Sequence, residues 1–260
     1  MTNCIHFSVD DVFEILWELG QGEQRSIFEQ KYLAFFKELH DRYGCTFSGY
    51  CFLEKDGRKL DELTFSKELT DELHDNAGWL KFGFHALDHE TAYGKTHFTV
   101  SRVRGSYEEA YEDCRRMHEV LMKLCGGAES LDLVPRIHYF AGTTEALCAW
   151  RDLGVKGLLS ADDDRLPYDL NEAQVLELKR SYRLTDASCM LQLIRTAFRL
   201  EKAEDLRAAW NGIPDGARAC IEIFTHEYYL DEPSIRQKFE ACARLASEEG
   251  LVFGFVQDLG

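Results

Sequence analysis

Hydrophobic positions along this chain recur in short, β-prone blocks separated by longer stretches whose apolar residues return every three or four positions. Blocks of the first kind, at 4–9, 46–52, 79–84, 133–140, 155–160, 219–224 and 251–256, predict strands. Stretches of the second kind predict helices at 24–43, 66–76, 106–125, 143–153 and 232–249. In the first helix Ile27, Phe28, Leu33, Phe35, Phe36 and Leu39 form the apolar stripe, and Gly44 stands where a C-terminal glycine stops a helix. Ser106 with Glu109 gives a helix start signal, while Gly126-Gly127 and Gly154 give stops. The segment 161–217 is less regular, with a strand expected at 180–184 and helices at 188–198 and 202–210.

Strands that alternate with helices, and are apolar along their length, predict an α/β fold with a parallel sheet covered by helices. The number of units favours a (β/α) TIM-like barrel over an open sheet. With only four prolines and no Ser/Pro/Gly-rich break, the reading is a single domain over 1–260.

Composition narrows the function classes. The formal net charge of −16 disfavours nucleic acid and anionic lipid as partners and favours a small or neutral molecule. No apolar run approaches membrane-spanning length, and no basic-then-apolar leader precedes the first strand. Nine cysteines, an odd number with no CxxC, suit buried thiols in a reducing compartment, so the expected location is cytoplasmic.

Polar residues gather at the predicted strand ends, which share one face in a parallel barrel, the face where active sites are built. Asp10-Asp11 follows the first strand, and His85, Arg136, the run Asp162-Asp163-Asp164 and His226 end later ones. The aspartate pair suits either a helix N-cap or a metal-binding carboxylate beside a proton acceptor. His85 and His89, at i and i+4, would share one side of a helical turn and bite a single metal. Asp with two His leaves a coordination position open, the composition of a hydrolytic metal site. Ala86 after the first histidine excludes the HExxH pattern. Arg136 could pair with a surface acid or orient the base. His226 is either structural or the acid that protonates a leaving amine. Asp88 and Asp162–Asp164 read as solvated acids, and His97 as a loop residue.

In order, Ser8-Val9-Asp10-Asp11, His85-Ala86-Leu87-Asp88-His89, Arg136-Ile137-His138-Tyr139-Phe140 and Phe224-Thr225-His226 resemble the motifs of the polysaccharide deacetylase (NodB-homology) superfamily, over about residues 5 to 230. The resemblance implies a distorted (β/α) barrel that hydrolyses acetyl groups from sugars with a divalent metal. By match, Asp10 would be the general base, Asp11, His85 and His89 the metal ligands, and His226 the general acid. Arg136 would hold Asp10, and Tyr139 and His138 would border the substrate, with Tyr139 beside the oxyanion. His138 stands where the family commonly has Pro, a departure that implies either a differently built third motif or an added ligand. The family's acidic partner for the C-terminal histidine is not identifiable, with Asp162 and Asp164 as the nearest candidates.

The implied cofactor is Zn²⁺, with Co²⁺, Ni²⁺, Fe²⁺ or Mn²⁺ compatible with the same ligands. The implied partner is a small carbohydrate, an N-acetylated sugar or sugar conjugate met in the cytoplasm. Two rivals stand beside this reading: a metal-dependent amidohydrolase acting on a small non-sugar C–N bond, and a non-catalytic binding protein. Aromatic platforms in the groove would favour a sugar, and charged residues an acidic metabolite.

Overall fold

Strand β1 (Cys4–Val12) lies inside the main sheet and leads into a short helix, α1 (Glu14–Leu19). Helix α2 (Lys31–Tyr43) and β2 (Phe47–Phe52) follow, then a hairpin of β3 (Glu54–Lys55) and β4 (Arg58–Lys59). Next come α3 (Lys67–Asp75), β5 (Leu80–Ala86), a ribbon of β6 (Thr91–Ala92) with β7 (Arg102–Val103), α4 (Tyr107–Cys125) and α5 (Thr144–Asp152). The second half holds β8 (Gly157–Ser160), α6 (Glu172–Ser181), β9 (Arg183–Thr185), β10 (Gln192–Arg195), β11 (Phe198–Arg199) and α7 (Leu206–Asn211). Strand β12 (Ile221–His226), α8 (Pro233–Glu248) and β13 (Val252–Phe253) close the chain. This computed structural model describes residues 3–22 and 24–258.

The main sheet runs β11-β12-β1-β2-β5 with every pairing parallel, and β13 adds beside β1. A second sheet, β8-β10-β9, faces the gap between β5 and β11. No continuous ladder joins the two sheets among the described residues. Single hydrogen bonds carry the wall across: Asp132 N–H to Phe82 O at 2.8 Å, Lys156 N–H to Leu133 O at 2.7 Å, and Ala197 N–H to Glu222 O at 2.8 Å. The result is a distorted α/β barrel, regular on one side and laced on the other.

Period-two alternation sorts the barrel side chains. Phe7 of β1 turns outward, with ring centroids 5.1 Å from Phe239 on α8, and Phe47 of β2 stacks on Phe36 of α2 at 4.4 Å. Burying such a ring contributes about 1.5–3 kcal/mol. The inward positions of the same strands are polar. His6 Nε2 meets Ser48 Oγ at 2.9 Å, Ser48 donates to Asp132, and Ser8 donates to Glu222 at 2.5 Å, all buried. The strands expected to be apolar throughout are therefore apolar on their helix-facing side only.

Other expectations shift for local reasons. The segment 133–140 is an extended run without a ladder, ending in a tight turn at His138–Phe140, and Pro135 within it has no N–H to donate to one. The helix expected at 188–198 is instead β10, since Leu191 and Leu193 alternate with Gln192 at strand spacing. The strand at 251–256 reduces to β13, and the helix at 24–43 begins at Lys31. Cys148 on α5 and Cys189 form a disulfide, while seven cysteines are free and buried, which corrects the expectation of nine free thiols. No helix among the described residues is long and apolar enough to cross a membrane.

Candidate metal centre and active site

Neighbouring residues on a strand face opposite sides, so Asp10 and Asp11 should not both reach one cavity. They do because β1 is irregular at this point. Its register with β2 shifts between Val9 and Val12, and Asp11 takes a left-handed backbone (φ 60). Both carboxylates then line a cavity of about 240 Å³ at the C-terminal mouth of the barrel, with His85, His138, Tyr139 and His226. Neither aspartate caps the following helix. The amides of Phe13, Glu14 and Ile15 at the start of α1 are taken by the carboxylate of Glu227, at 2.8–3.1 Å. That leaves the aspartate pair free for chemistry.

Asp11, His85 and His138 each bring one ligand atom into a cluster whose members lie within 4.8 Å of one another. His85 Nδ1–H donates to the carbonyl of Arg136 at 2.5 Å, and its Nε2 lies 3.1 Å from Asp11 Oδ1. Asp11 Oδ1 and His138 Nδ1 are buried without a hydrogen-bond partner. Burial works against the Asp11 carboxylate, but the close His85 ring and the other nearby imidazoles outweigh it and hold its pKa at about 2. Burial, reinforced by His85, pushes His138 down to about 3 and so keeps it neutral. Two buried, unpartnered ligand atoms beside the His85 ring fit a divalent cation.

His89, expected as the third ligand, lies outside this cluster. His85 ends a strand, not a helical turn, and residues beyond it bend away, so the i, i+4 spacing does not put the two rings on one face. His89 is 60% exposed, and its carbonyl accepts the Tyr139 hydroxyl at 3.1 Å. His138 takes the third place. It is aimed by a turn in which Tyr139 (φ 58) and Phe140 (φ 55) are both left-handed, a conformation that costs non-glycine residues energy and concentrates at functional sites. Phe52 packs edge-on against His138 at 4.9 Å, and Tyr139 stacks on it at 3.8 Å.

Beneath the cavity the fully buried Arg136 donates to Asp10 at 2.7 Å, Ser8 at 2.9 Å and Thr196 at 3.1 Å, and forms a second ion pair with Glu222. Burial raises the Asp10 pKa, and Arg136 only partly offsets this. Across the mouth His226 Nδ1–H donates to Glu201 at 2.7 Å, and the Thr225 hydroxyl donates to the same carboxylate at 2.9 Å. Burial lowers the His226 pKa, but the Glu201 bond with the charges of Asp10 and Asp11 overcomes it and leaves the ring above its ordinary value. Among the described residues His226 Nε2 has no hydrogen-bond partner.

No protein-family model matches the sequence, and no curated protein does. Solved structures do match in three dimensions. A structure described as T48 deacetylase with substrate superposes with TM-score 0.52 at 13% identity, over 99% of this chain and 90% of its own. A family 4 acetyl xylan esterase from Clostridium thermocellum, in complex with a cobalt ion, gives 0.50 at 10% identity, over 98% and 89%. The chain has the polysaccharide-deacetylase fold. The 4-alpha-glucanotransferase from Thermococcus litoralis gives 0.56 at 10% identity, over 100% of this chain but 40% of that one, so the fold alone does not fix the reaction.

Within this deacetylase fold, Glu201 is the residue that sequence reasoning missed. It lies in a short turn at Leu200–Lys202, in a segment without clear periodicity, and no spacing rule ties it to His226. Asp162 and Asp163, near the position expected for that role, instead pair with Arg199 and Arg165, and Asp164 pairs with Lys179. Asp88 is not solvated; it is buried, accepts from Thr91 at 2.7 Å and pairs with Arg102. His97 is a loop residue whose ring lies tilted against Phe98 at 4.4 Å.

Proposed function

We propose that this protein is a metal-dependent hydrolase that removes the acetyl group from an N-acetylated sugar or sugar conjugate. The observation that carries the reading is the placing, around one small cavity, of the Asp11/His85/His138 cluster with a carboxylate and an imidazole that are each held by a partner: Asp10 by Arg136, and His226 by Glu201. A carboxylate and an imidazole oriented on one cavity in this way can serve as proton acceptor and proton donor. Two fold neighbours, a deacetylase and an acetyl xylan esterase with a cobalt ion, are consistent with it.

Asp11, His85 and His138 would hold the ion, which when bound supplies Lewis acidity toward a carbonyl and toward water; zinc is the first choice for this donor set. Asp10, fixed by the Arg136 guanidinium, accepts the proton of the attacking water. The protonated His226 gives its Nε2 proton to the departing nitrogen, and Glu201 holds the ring in the tautomer and orientation that this needs. Each transfer contributes roughly 10²–10⁴-fold. Tyr139, stacked between His138 and Phe98, closes one wall against the acetyl group.

The cytoplasm is the proposed compartment, on the strength of seven buried thiols; the Cys148–Cys189 disulfide is the feature that weighs against it. Function is tested by acetate release from a panel of N-acetylated sugars with zinc- or cobalt-loaded protein. Release that disappears in Asp10→Asn supports the reading. No release from any member, with one equivalent of metal verified, overturns it.

A further inference from the structure

The wall of the cavity carries two arginines, Arg165 and Arg199, that the hydrolytic chemistry does not use. Arg165 reaches Asp163 through Nε at 2.7 Å and Nη2 at 2.6 Å, and Arg199 reaches Asp162 through Nε at 2.9 and 3.0 Å. Both guanidiniums also converge on one atom: Asp163 Oδ2 lies 2.6 Å from Arg165 Nη2 and 3.4 Å from Arg199 Nη2. Each fork is thus locked in place, yet among the described residues neither Nη1 has a hydrogen-bond partner. Arg195 fixes the aspartates from behind, donating to the carbonyls of Asp162 at 2.8 Å and Asp163 at 3.2 Å. Both side chains are largely buried, and both line the cavity that contains Asp10, Asp11 and His226.

Arg165 also forms the boundary with a second groove of about 470 Å³, lined by Lys95, His97, Leu166 and Asp169. Lys95 is exposed and makes no ion pair among the described residues. The basic side chains that line the cavity and the groove, Lys95, Arg165 and Arg199, stand on the side of Asp162–Asp164, while Asp10 and Asp11 belong to the hydrolytic centre. Aromatic surface accompanies the charge: Phe98 is 43% exposed, stacks on Tyr139 at 5.0 Å and lies under the Arg165 guanidinium at 5.6 Å. The site therefore joins an aromatic platform suited to a sugar face with preorganised guanidinium donors suited to an oxyanion.

We propose that Arg165 and Arg199, with Lys95 at the groove beyond, bind an anionic substituent, a phosphate or carboxylate, carried by the acetylated substrate. The inference rests on the deacetylase reading of the cavity and narrows it to acidic sugars. The two guanidinium forks clamp the oxyanion and set the distance at which the acetamido group meets Asp10 and His226.

Isothermal titration of the zinc-loaded full chain with N-acetylglucosamine, N-acetylglucosamine 1-phosphate and N-acetylmuramic acid tests it. At least one anionic sugar should bind tenfold or more tighter than the neutral one, and which one does separates phosphate from carboxylate. The advantage should fall below threefold in Arg165→Gln and shrink as salt rises. Lys95→Gln, at an exposed position, gives a partial loss and serves if the arginine variant does not fold. Equal binding of the three sugars, no binding of either anionic sugar, or an advantage that survives Arg165→Gln overturns the proposal. Acetate release reads the other question: neutral sugar hydrolysed as well as anionic sugar sinks the anion site alone. An anion advantage without release from any sugar sinks the deacetylase reading alone.

Discussion

His226 and Glu201 stand 25 positions apart in sequence and 2.7 Å apart in the fold, Nδ1–H to Oε1. The carboxylate keeps the imidazole protonated and oriented. The pH dependence follows in sign. His226, raised above its ordinary value, is the acid form below its pKa and loses that form as pH rises through it. Glu201→Gln should therefore move the alkaline limb of the rate profile to lower pH and reduce kcat by roughly 10–100-fold. The same shift means that the dyad stabilises the fold fully below the ordinary histidine value and less as pH rises through the raised one. An unchanged alkaline limb would detach Glu201 from the chemistry.

Metal content separates the two histidines that compete for the third place. His138→Ala should lose the ion from protein purified without chelator or tag, whereas His89→Ala should retain it, because His89 is exposed and outside the cluster. Elemental analysis of the two variants decides; metal lost from His89→Ala and kept by His138→Ala would reverse the assignment.

Removing Arg136 should be costly beyond catalysis. Arg136→Met would leave Asp10 and Glu222 buried without their shared cation. Breaking a buried pair in this way costs about 3–5 kcal/mol. Urea denaturation measures it, and a loss below about 1 kcal/mol would mean the two acids are protonated together in the native state.

Acid stability should depend on a histidine far from the mouth. Burial in α4 pushes His118 down to about 4 from an ordinary 6.5. The unfolded chain binds this proton first, so stability is present above about 6.5 and is lost as pH falls toward 4. The full loss is on the order of 3 kcal/mol. His118→Leu should flatten denaturation midpoints over that interval; an unaltered slope would assign the acid loss elsewhere.

The motif order and most elements were legible because strands and helices here keep their periods: α3, α4, α5 and α8 begin and end within a residue of the bounds read from the sequence. The placement of Asp10, Asp11, His85 and His226 at strand ends was legible for the same reason, whereas Arg136 sits in an extended segment that joins no ladder. What failed were inferences that needed a conformation as well as a spacing. His85 and His89 suit one metal only on a helix, and the chain is a strand there, while His138 enters through two left-handed residues that no local pattern announces. Glu201 and Glu222 gain meaning from partners across the barrel, and Glu222 was hidden within a strand that reads as apolar.

The irregularity at the end of β1 has a further consequence. A regular strand offers one side chain in two to any cavity, so base and ligand would have to come from different elements. By shifting register against β2 at a single place while keeping its pairing to β12 through Asp10 and His226, β1 delivers both from adjacent codons. Deleting one residue from that shift should leave a sheet that still assembles around a mouth with a single acid, a fold intact and a reaction gone.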